Sequence, residues 1–261
     1  MDLGLKDKVA VITGGSVGIG LGVARAFARE GAHVLIAARD GTRADSEARK
    51  IAADHGVKAV AQACDVATAA GCAALIAAAE RNFGGCDILV NNAGTGSNET
   101  ILAAPDAKWQ AYWDLHVMAA VRLARGLAPL MAKRGGGAIL NNASICAVQP
   151  LWYEPIYNVT KAALVMLSKT MATEFIPLNI RVNAINPGLI RTPDWVKTAT
   201  QLAGPDKAED YLQSVADEHA PIKRFGTVEE LADFFVFLCS PRASYAVGAS
   251  FFVDGGMLKT I

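Results

Sequence analysis

Short apolar segments alternate with longer amphipathic segments along almost the whole chain. The apolar segments are rich in Val, Ile and Ala, and the segments between them repeat apolar residues at helical spacing. Alternating strands and helices form β-α-β units, which need a parallel sheet, and strands that are apolar throughout indicate helices on both of its faces. The predicted strands are 8–13, 33–38, 57–63, 87–90, 138–142, 180–185 and 250–253, and the predicted helices are 19–30, 43–55, 69–82, 107–133 and 155–175.

This pattern predicts a single α/β domain over residues 1–261, built on a doubly wound parallel sheet of about seven strands. No linker, repeat or low-complexity tract interrupts the alternation. The exception is the segment at about 189–222, where Pro, Asp, Trp and Lys replace a clean period. We predict that this segment is a lid inserted over a binding cleft, and the alternative is an ordinary surface excursion.

Composition and charge narrow the class of protein. Of the 261 residues 52% are hydrophobic and 19% are charged, which predicts a globular interior. The 25 basic and 25 acidic residues cancel, so the chain lacks the basic excess of a nucleic-acid-binding protein. No secretory signal and no uninterrupted apolar run of about 18 residues, the length of a membrane span, is visible. We therefore expect a cytoplasmic enzyme with a small-molecule substrate and no nucleic-acid or membrane partner.

Disulfides and metal sites have little support in the sequence. The cysteines are odd in number and form no C-x-x-C pair, so we expect free thiols. Asp, His and Cys do not recur at the spacing of metal ligands, so no metal is predicted. The five cysteines are Cys64, Cys72, Cys86, Cys146 and Cys239.

A glycine-rich turn, Thr13-Gly14-Gly15-Ser16-Val17-Gly18-Ile19-Gly20, follows the first predicted strand. Its glycines allow a tight turn and a close approach of the backbone to a pyrophosphate, whose charge suits the N-terminus of the following helix. The turn is not of the G-x-G-x-x-G form, because Val23 occupies the place of the third glycine. A turn without a ligand is the alternative, but the position after the first strand favours a dinucleotide.

The end of the second predicted strand indicates which dinucleotide is bound. A carboxylate that binds the ribose hydroxyls of NAD is expected about 20 residues after the glycine turn. That position holds Ala38, and the next residue is Arg39. A guanidinium can bind a 2′-phosphate in bidentate fashion, and Ser16 can add a hydroxyl donor. We therefore predict NADP rather than NAD, and the alternative is that Arg39 is a surface charge paired with Asp40.

Two further groups of residues complete the predicted site. Asn91-Asn92-Ala93-Gly94 follows the fourth strand, where small residues let the backbone approach a ligand. Tyr157 and Lys161 are four residues apart on a predicted helix, so their side chains share one face. An ammonium beside a phenol favours the phenolate, which lowers a pKa of about 10. Ser144, after the fifth strand, can donate a hydrogen bond to a substrate carbonyl.

Taken together, these motifs resemble the short-chain dehydrogenase/reductase family over nearly the whole chain. The resemblance rests on T-G-x-x-x-G-x-G at 13–20, on N-N-A-G at 91–94, on Ser144 thirteen residues before Tyr157, and on Y-x-x-x-K at 157–161. Three further motifs are Asp65-Val66, Pro187-Gly188 with Thr192, and Val253-Asp254-Gly255-Gly256. The resemblance implies a Rossmann-type fold and a homo-oligomer, a tetramer or a dimer.

The resemblance also implies the roles of the site residues. Tyr157 would be the catalytic acid/base, Ser144 would orient and polarise the carbonyl, and Lys161 would hold the nicotinamide ribose while lowering the pKa of Tyr157. The predicted cofactor-binding residues are Gly14, Ser16, Val17, Gly18, Ile19, Gly20, Arg39, Asp65, Val66, Asn91, Ala93, Gly94, Tyr157, Lys161, Pro187, Gly188, Ile190 and Thr192.

One position departs from the family pattern. The family usually has an asparagine about 28 residues before the serine, where it holds a water that connects the lysine to solvent. Here that position holds His116. A histidine can shuttle protons itself, or it can be a buried, hydrogen-bonded substitute without a proton role, and the sequence leaves both readings open.

The predicted function is hydride transfer between NADP(H) and a carbonyl or secondary alcohol. Gln149, Trp152, Tyr153 and, from the lid, Trp195 are predicted to border the substrate, which favours a bulky, partly apolar ketone or alcohol over a free sugar. The alternative is that these aromatic residues pack in a subunit contact. An NAD-dependent alcohol dehydrogenase and a non-catalytic dinucleotide-binding sensor are the competing functions, and Ser144, Tyr157 and Lys161 weigh against the sensor.

Overall fold

The computed structural model describes residues 2–96, 98–151 and 153–259, and these residues form one parallel sheet with helices on both faces. Its seven strands are β1 Val9–Thr13, β2 His33–Ala38, β3 Ala59–Ala63, β4 Ile88–Asn91, β5 Gly137–Asn142, β6 Ile180–Pro187 and β7 Ser250–Val253. Their order across the sheet is β3-β2-β1-β4-β5-β6-β7. All six neighbouring pairs are parallel, as in the doubly wound sheet that the sequence predicts.

Helices cover the sheet on both sides. They are α1 Gly18–Arg29, α2 Gly41–His55, α3 Ala69–Phe83, α4 Asp106–Trp113, α5 Ala119–Lys133, α6 Pro155–Phe175, α7 Pro193–Ala203, α8 Ala208–His219 and α9 Val228–Cys239. A π-helical turn, Asp114–Met118, joins α4 to α5.

The core has two layers because successive side chains of a strand point to opposite faces. In β1, Ala10 and Ile12 pack into the layer formed with α1, α2 and α9, where Phe27 and Phe235 are fully buried. Val9 and Val11 pack into the opposite layer, which is formed with α3, α5 and α6. This alternation explains why the central strands are mostly apolar on both faces.

Three helical features were missing from the predictions. The helix predicted over 107–133 has the expected extent, but a π-turn interrupts it at Asp114–Met118. The irregular segment 189–222 contains α7 and α8, so it is largely helical. The last missing feature is helix α9, which the sequence analysis did not predict. Its start has a clear signal in the sequence, since Thr227 and Glu230 form a capping box just before an apolar run.

The stretch Asp106–Lys133 is long and apolar enough, by length and composition, to cross a membrane. Of its most apolar window, 56% is buried inside the protein. Leu123, Leu127 and Met131 pack into the layer formed with α3 and α6. The stretch is therefore a core helix of the α/β domain.

The topology brings the predicted site residues to one edge of the sheet. β1 pairs with β2 on one side and with β4 on the other, so the strand order reverses there. In open α/β sheets ligands bind at the carboxyl ends of the strands beside such a reversal. The turns after β1, β4, β5 and β6 all leave the sheet at this edge.

At the opposite edge of the sheet, where β1 and β4 begin, the buried carboxylate of Asp87 binds several groups. Asp87, just before β4, is 5% exposed and accepts hydrogen bonds from the Val9 backbone N–H at 2.8 Å and from the Arg134 guanidinium at 2.8 Å. Lys8 lies 3.4 Å from its other oxygen. Asp87 thus joins the starts of β1 and β4 to the end of α5.

We expect Asp87→Ala to lower the free energy of unfolding by about 2–3 kcal/mol, because it leaves a buried N–H and a guanidinium without their acceptor. Chemical denaturation measures the change. Asp45→Ala is the control, because it removes an exposed carboxylate paired with Arg49 within one helix, and it should change the unfolding free energy much less. Equal losses in the two variants would contradict the structural role of Asp87.

Candidate active site

The backbone of the glycine-rich turn packs so closely at Gly14 and Gly20 that a side chain would not fit there. Gly14 has φ +66°, in the left-handed region. A Cβ atom on Gly20 would lie 2.2 Å from the Gly14 carbonyl oxygen, so a larger residue there would displace the turn. At the N-terminus of α1, Val17 provides no side-chain cap. The first backbone N–H groups of α1 are thus open to an anion such as a pyrophosphate.

The hydroxyl of Thr13 holds the turns after β1 and β4 together. Its oxygen accepts hydrogen bonds from the backbone N–H groups of Asn92 and Ala93, each at 2.9 Å. The Asn92 amide donates to the Thr13 carbonyl at 2.9 Å and accepts from the Asn142 amide at 2.9 Å. These bonds fix the backbone of 92–94 beside the glycine turn. The sequence analysis did not identify Asn92 or Asn142 as positioning residues.

At the end of β2, Asp40 pairs with Arg43 and not with Arg39, so the alternative of an Arg39–Asp40 ion pair is not found within the described range 2–96. The Asp40 carboxylate caps α2 by accepting from the Arg43 backbone N–H, and it also forms an ion pair with the Arg43 guanidinium at 2.8 Å. Within the described residues, Arg39 is exposed and forms no ion pair. Asp40 is therefore engaged by Arg43, and the Arg39 guanidinium is left at the rim where the 2′-phosphate was predicted.

The other predicted cofactor residues lie along the same edge. Asp65 is exposed just after β3 and accepts a hydrogen bond from the Ala67 N–H at 3.0 Å, while Val66 is buried. Gly188 follows β6, and a Cβ there would lie 2.7 Å from the Met257 sulfur. Thr192 caps α7 through its hydroxyl, and its methyl group would lie 3.7 Å from a Cβ on Gly18, so the turn after β6 approaches the glycine turn.

Ser144, Tyr157 and Lys161 come together between β5 and α6. Ser144 accepts a hydrogen bond from the Cys146 N–H at 3.2 Å, which fixes its hydroxyl oxygen. The Lys161 side chain is 3% exposed, and its ammonium donates to the Asn142 carbonyl at 2.7 Å. The Lys161 ammonium also lies 5.3 Å from the centre of the Tyr157 ring, within the range of a cation–π contact.

Burial is the main influence on the pKa values of both Tyr157 and Lys161. Burial raises the pKa of the Tyr157 phenol, Cys146 and Glu154 add to the rise, and the nearby Ser144 hydroxyl lowers it by less. Burial also lowers the pKa of the Lys161 ammonium to about 8. Desolvation disfavours the charged form of both groups, so Tyr157 is a protonated phenol at neutral pH, the form that donates a proton.

His116 lies in the middle of the π-turn and faces the predicted catalytic residues. Its ring packs edge-on against Tyr157 with centres 5.6 Å apart. The Thr160 hydroxyl lies 2.8 Å from Nδ1 and donates its own hydrogen to the Ile156 carbonyl, so it accepts from Nδ1–H. Nε2 accepts from the Thr95 N–H at 3.3 Å. These partners define a neutral imidazole protonated at Nδ1.

Burial is the main cause that lowers the pKa of His116 to about 2, and the charge of Lys161 adds to it. The residue is 3% exposed. A ring that stays neutral at physiological pH fits the reading of His116 as a hydrogen-bonded substitute rather than a group that takes up protons.

Asn91, predicted to line the ribose, belongs to a buried amide network. Its side chain donates to Asn141 at 2.7 Å, and Asn141 donates to Ser168 on α6 at 2.8 Å. The Asn91 Oδ1 atom is buried without a hydrogen-bond partner among the described residues. Asparagines inside otherwise apolar strands are the sequence signal for such a network, because buried amides need partners.

The predicted substrate residues have mixed surroundings. Gln149 is engaged at both ends, since its amide donates to the Met257 carbonyl at 3.3 Å and accepts from the Lys259 N–H at 3.0 Å. Trp195 packs edge-on against Phe225 with ring centres 5.2 Å apart, in a cluster between α7 and α8. Tyr153 is half-buried and accepts from the Glu99 N–H through its carbonyl at 3.1 Å. Trp152 lies outside the described residues.

All five cysteines lie in the part of the chain that the structure describes. They are all free, and four are buried. Burial raises the pKa of Cys86 and of Cys239 to about 12. Within 2–96, 98–151 and 153–259, no group of three or more His, Cys, Asp and Glu side chains has the arrangement of a metal site.

Comparisons with known proteins place this site in a family. A family model described as enoyl-(acyl carrier protein) reductase matches residues 14–258. The L-sorbose reductase of Gluconobacter frateurii, crystallised with NADPH and L-sorbose, is 66% identical with a TM-score of 0.98, and the match covers 100% of both chains.

Two more distant proteins share the fold. Dehydrogenase/reductase SDR family member 4 of Sus scrofa is 37% identical over 254 residues, which are 97% of this chain and 88% of that protein. A 7α-hydroxysteroid dehydrogenase crystallised with NADH and 7-oxo glycochenodeoxycholic acid is 33% identical, with a TM-score of 0.87 and coverage of 99% and 97% of the two chains.

The neutral state of His116 predicts a pH profile. With a pKa of about 2, His116 does not titrate near pH 6.5, where a free histidine would. Lys161 has a pKa of about 8 and loses its charge as the pH rises above 8. We expect kcat/KM of the oxidoreductase reaction, assayed with NADPH, to stay level between about pH 5.5 and 7 and to fall above about pH 8, with the same shape in His116→Asn. A break near pH 6.5 that disappears in His116→Asn would show that the imidazole titrates.

Proposed function

The chain belongs to the short-chain dehydrogenase/reductase family, and we propose that it is an NADPH-dependent reductase that converts a polyhydroxy ketone into the corresponding secondary alcohol. The observation behind this proposal is that Ser144, the half-buried Tyr157 and the buried Lys161 come together at the same sheet edge as a glycine-rich turn whose following helix has no side-chain cap.

The residues of the site divide the work of reduction. Bound NADPH would supply the hydride to the carbonyl carbon. The protonated phenol of Tyr157 would give its proton to the carbonyl oxygen, and the Ser144 hydroxyl would polarise the carbonyl. The Lys161 ammonium, close to the ring of Tyr157, would stabilise the phenolate that this step leaves.

Two observations support NADP as the cofactor. The first is the exposed guanidinium of Arg39 just after β2, where Ala38 replaces the carboxylate that NAD requires. The second is the L-sorbose reductase that is 66% identical and was crystallised with NADPH. The steroid dehydrogenase crystallised with NADH shows that the family uses both cofactors, so the fold alone does not determine the choice.

A ketose is the proposed substrate class, in place of the bulky apolar carbonyl that the aromatic residues favoured. Trp195 packs on Phe225 and Gln149 binds the C-terminal segment, so these two side chains have partners within the chain. The Glu154 carboxylate lies 3.0 Å from the Cβ position of Gly96, on the loop that continues from Gly94. A carboxylate at this place can accept hydrogen bonds from sugar hydroxyls.

The remaining expectations from the sequence stay predictions. They are the cytoplasmic location, the homo-oligomeric state, and the role of residues 189–222 as a lid. The helical hairpin of α7 and α8 has its own small core around Ala199 and Leu212, which is compatible with movement as a unit.

A substrate panel tests the function. We expect NADPH oxidation with L-sorbose and D-fructose to exceed, in kcat/KM, that with a 7-oxo steroid or a small aldehyde. Tyr157→Phe should lose at least about 100-fold in rate while it still binds NADPH, measured by fluorescence, which excludes a contaminating reductase. A higher kcat/KM for the 7-oxo steroid than for the ketoses would contradict the proposed substrate class and favour a bulky substrate. NADPH binding without turnover of any carbonyl would favour a non-catalytic dinucleotide-binding sensor.

The cofactor assignment predicts a change of preference. Ala38→Asp with Arg39→Leu should lower the NADPH/NADH ratio of kcat/KM by about tenfold or more, since a charged hydrogen bond to the 2′-phosphate is lost. Arg43→Leu is the matched control, because that guanidinium is already paired with Asp40. An unchanged ratio in the double variant would show that neither position contacts the 2′ group.

A further inference from the structure

Arg122, on α5, bridges the turn between β3 and α3 and the π-turn that holds His116. The Arg122 guanidinium donates from one nitrogen to the Ala67 carbonyl at 2.8 Å and from the other to the Asp114 carboxylate at 2.8 Å. Its side chain is 20% exposed and that of Asp114 is 26% exposed, so the bridge is largely shielded from solvent. A planar guanidinium holds two acceptors at fixed positions.

The first acceptor belongs to the turn between β3 and α3, which contains Asp65 and Val66, two of the predicted cofactor-binding residues. Asp65 begins this turn and accepts from the Ala67 N–H at 3.0 Å. Thr68 donates to the Asp65 carbonyl at 2.9 Å and caps α3. The Val66 carbonyl accepts from the Cys72 thiol at 3.1 Å. The turn is compact, so a ligand that contacts Asp65 or Val66 also fixes the Ala67 carbonyl.

The second acceptor is the first residue of the π-turn that holds His116. Gln110 donates to the other oxygen of Asp114 at 2.9 Å, and these contacts lower the pKa of Asp114. A π-turn contains one residue more than regular helical geometry, and such turns are frequent at functional sites. The orientation of His116 toward Tyr157 and Thr95 therefore depends on this turn.

We propose that Arg122 is a positioning residue that couples occupation of the adenosine subsite to the orientation of His116 in the catalytic site. The proposal rests on the proposed function in one respect, since it takes the ligand of the 65–68 turn to be the adenosine half of a dinucleotide. Binding there restrains the Ala67 carbonyl, Arg122 transmits this restraint to Asp114, and the π-turn holds His116 more firmly against Tyr157. A cofactor would in this way prepare the distant catalytic site.

The experiment uses a ligand that contains only the adenosine half, adenosine 2′,5′-bisphosphate. The chain has four histidines, so ¹³Cε1-histidine labelling gives four signals, and His116→Gln assigns the signal of His116. Calorimetry measures the binding of the same ligand. The variants are Arg122→Met and Asp114→Asn, and Arg125→Met, an exposed arginine on the same helix, is the matched control.

We expect saturation with the bisphosphate to shift the His116 signal in the wild type and in Arg125→Met. Arg122→Met and Asp114→Asn should bind the ligand but lose most of the shift, and kcat with NADPH should fall about fivefold or more, because a small displacement beside the reacting groups slows the chemical step. Asp114→Asn answers the same question if Arg122→Met does not fold.

Two results would overturn the coupling while leaving the proposed function intact. One is an unmoved His116 signal in the saturated wild type, and the other is a shift of wild-type size in both bridge variants. A purely structural role of Arg122 would lower the melting temperature and keep the shift. Failure of the bisphosphate to bind the wild type would instead reject the proposed cofactor, and the coupling with it.

Discussion

The catalytic edge is organised around one buried cation. Lys161 is 3% exposed, and its ammonium has the Asn142 carbonyl, at the end of β5, as its hydrogen-bonded acceptor. A buried ammonium is costly unless polar atoms replace its water. The face of the Tyr157 ring provides a second favourable contact. Because solvation remains incomplete, the pKa of Lys161 falls to about 8, and the charge it keeps disfavours a second cation on His116.

This arrangement also explains why a glycine stands at position 94. A Cβ there would lie 3.2 Å from Nε2 of His116 and 3.6 Å from the ammonium of Lys161. The backbone after β4 therefore passes between the two side chains, and the Thr13 hydroxyl holds it there through residues 92 and 93. The fixed elements of the site are thus strand ends and backbone, which are more rigid than a site built from long side chains.

The sequence predicted the strands and most helices because parallel strands buried on both faces leave an unmistakable apolar pattern. β2 and α6 have the predicted bounds. The π-turn at Asp114–Met118 was missed because one extra residue in a helix changes the apolar period too little to detect. Helix α9 was missed although Thr227 and Glu230 mark its start.

Site residues could be predicted where local backbone geometry determines their positions. They were harder to predict where their contacts are with residues distant in the sequence. The glycine turn and the Tyr157–Lys161 spacing follow from local geometry, and the structure has both the tight approach of Gly20 to Gly14 and the Lys161 ammonium 5.3 Å from the Tyr157 ring centre. The partners of Gln149 and Trp195 are distant in the chain, at 257–259 and at Phe225, so no local pattern reveals them. The same holds for Arg122, whose two acceptors lie 55 and 8 residues away.

The histidine in place of the family's usual asparagine is compatible with this buried cation for a definite chemical reason. An amide offers an NH2 donor group and a carbonyl acceptor without charge, and a neutral imidazole offers one donor and one acceptor on its two ring nitrogens. The Thr95 N–H can only donate, so Nε2 is the acceptor and the neutral ring carries its hydrogen on Nδ1, next to the Thr160 hydroxyl. The tautomer is thereby fixed by a backbone N–H of the segment after β4. His116 reproduces the donor and acceptor of an amide beside Lys161 and adds no second charge to the site.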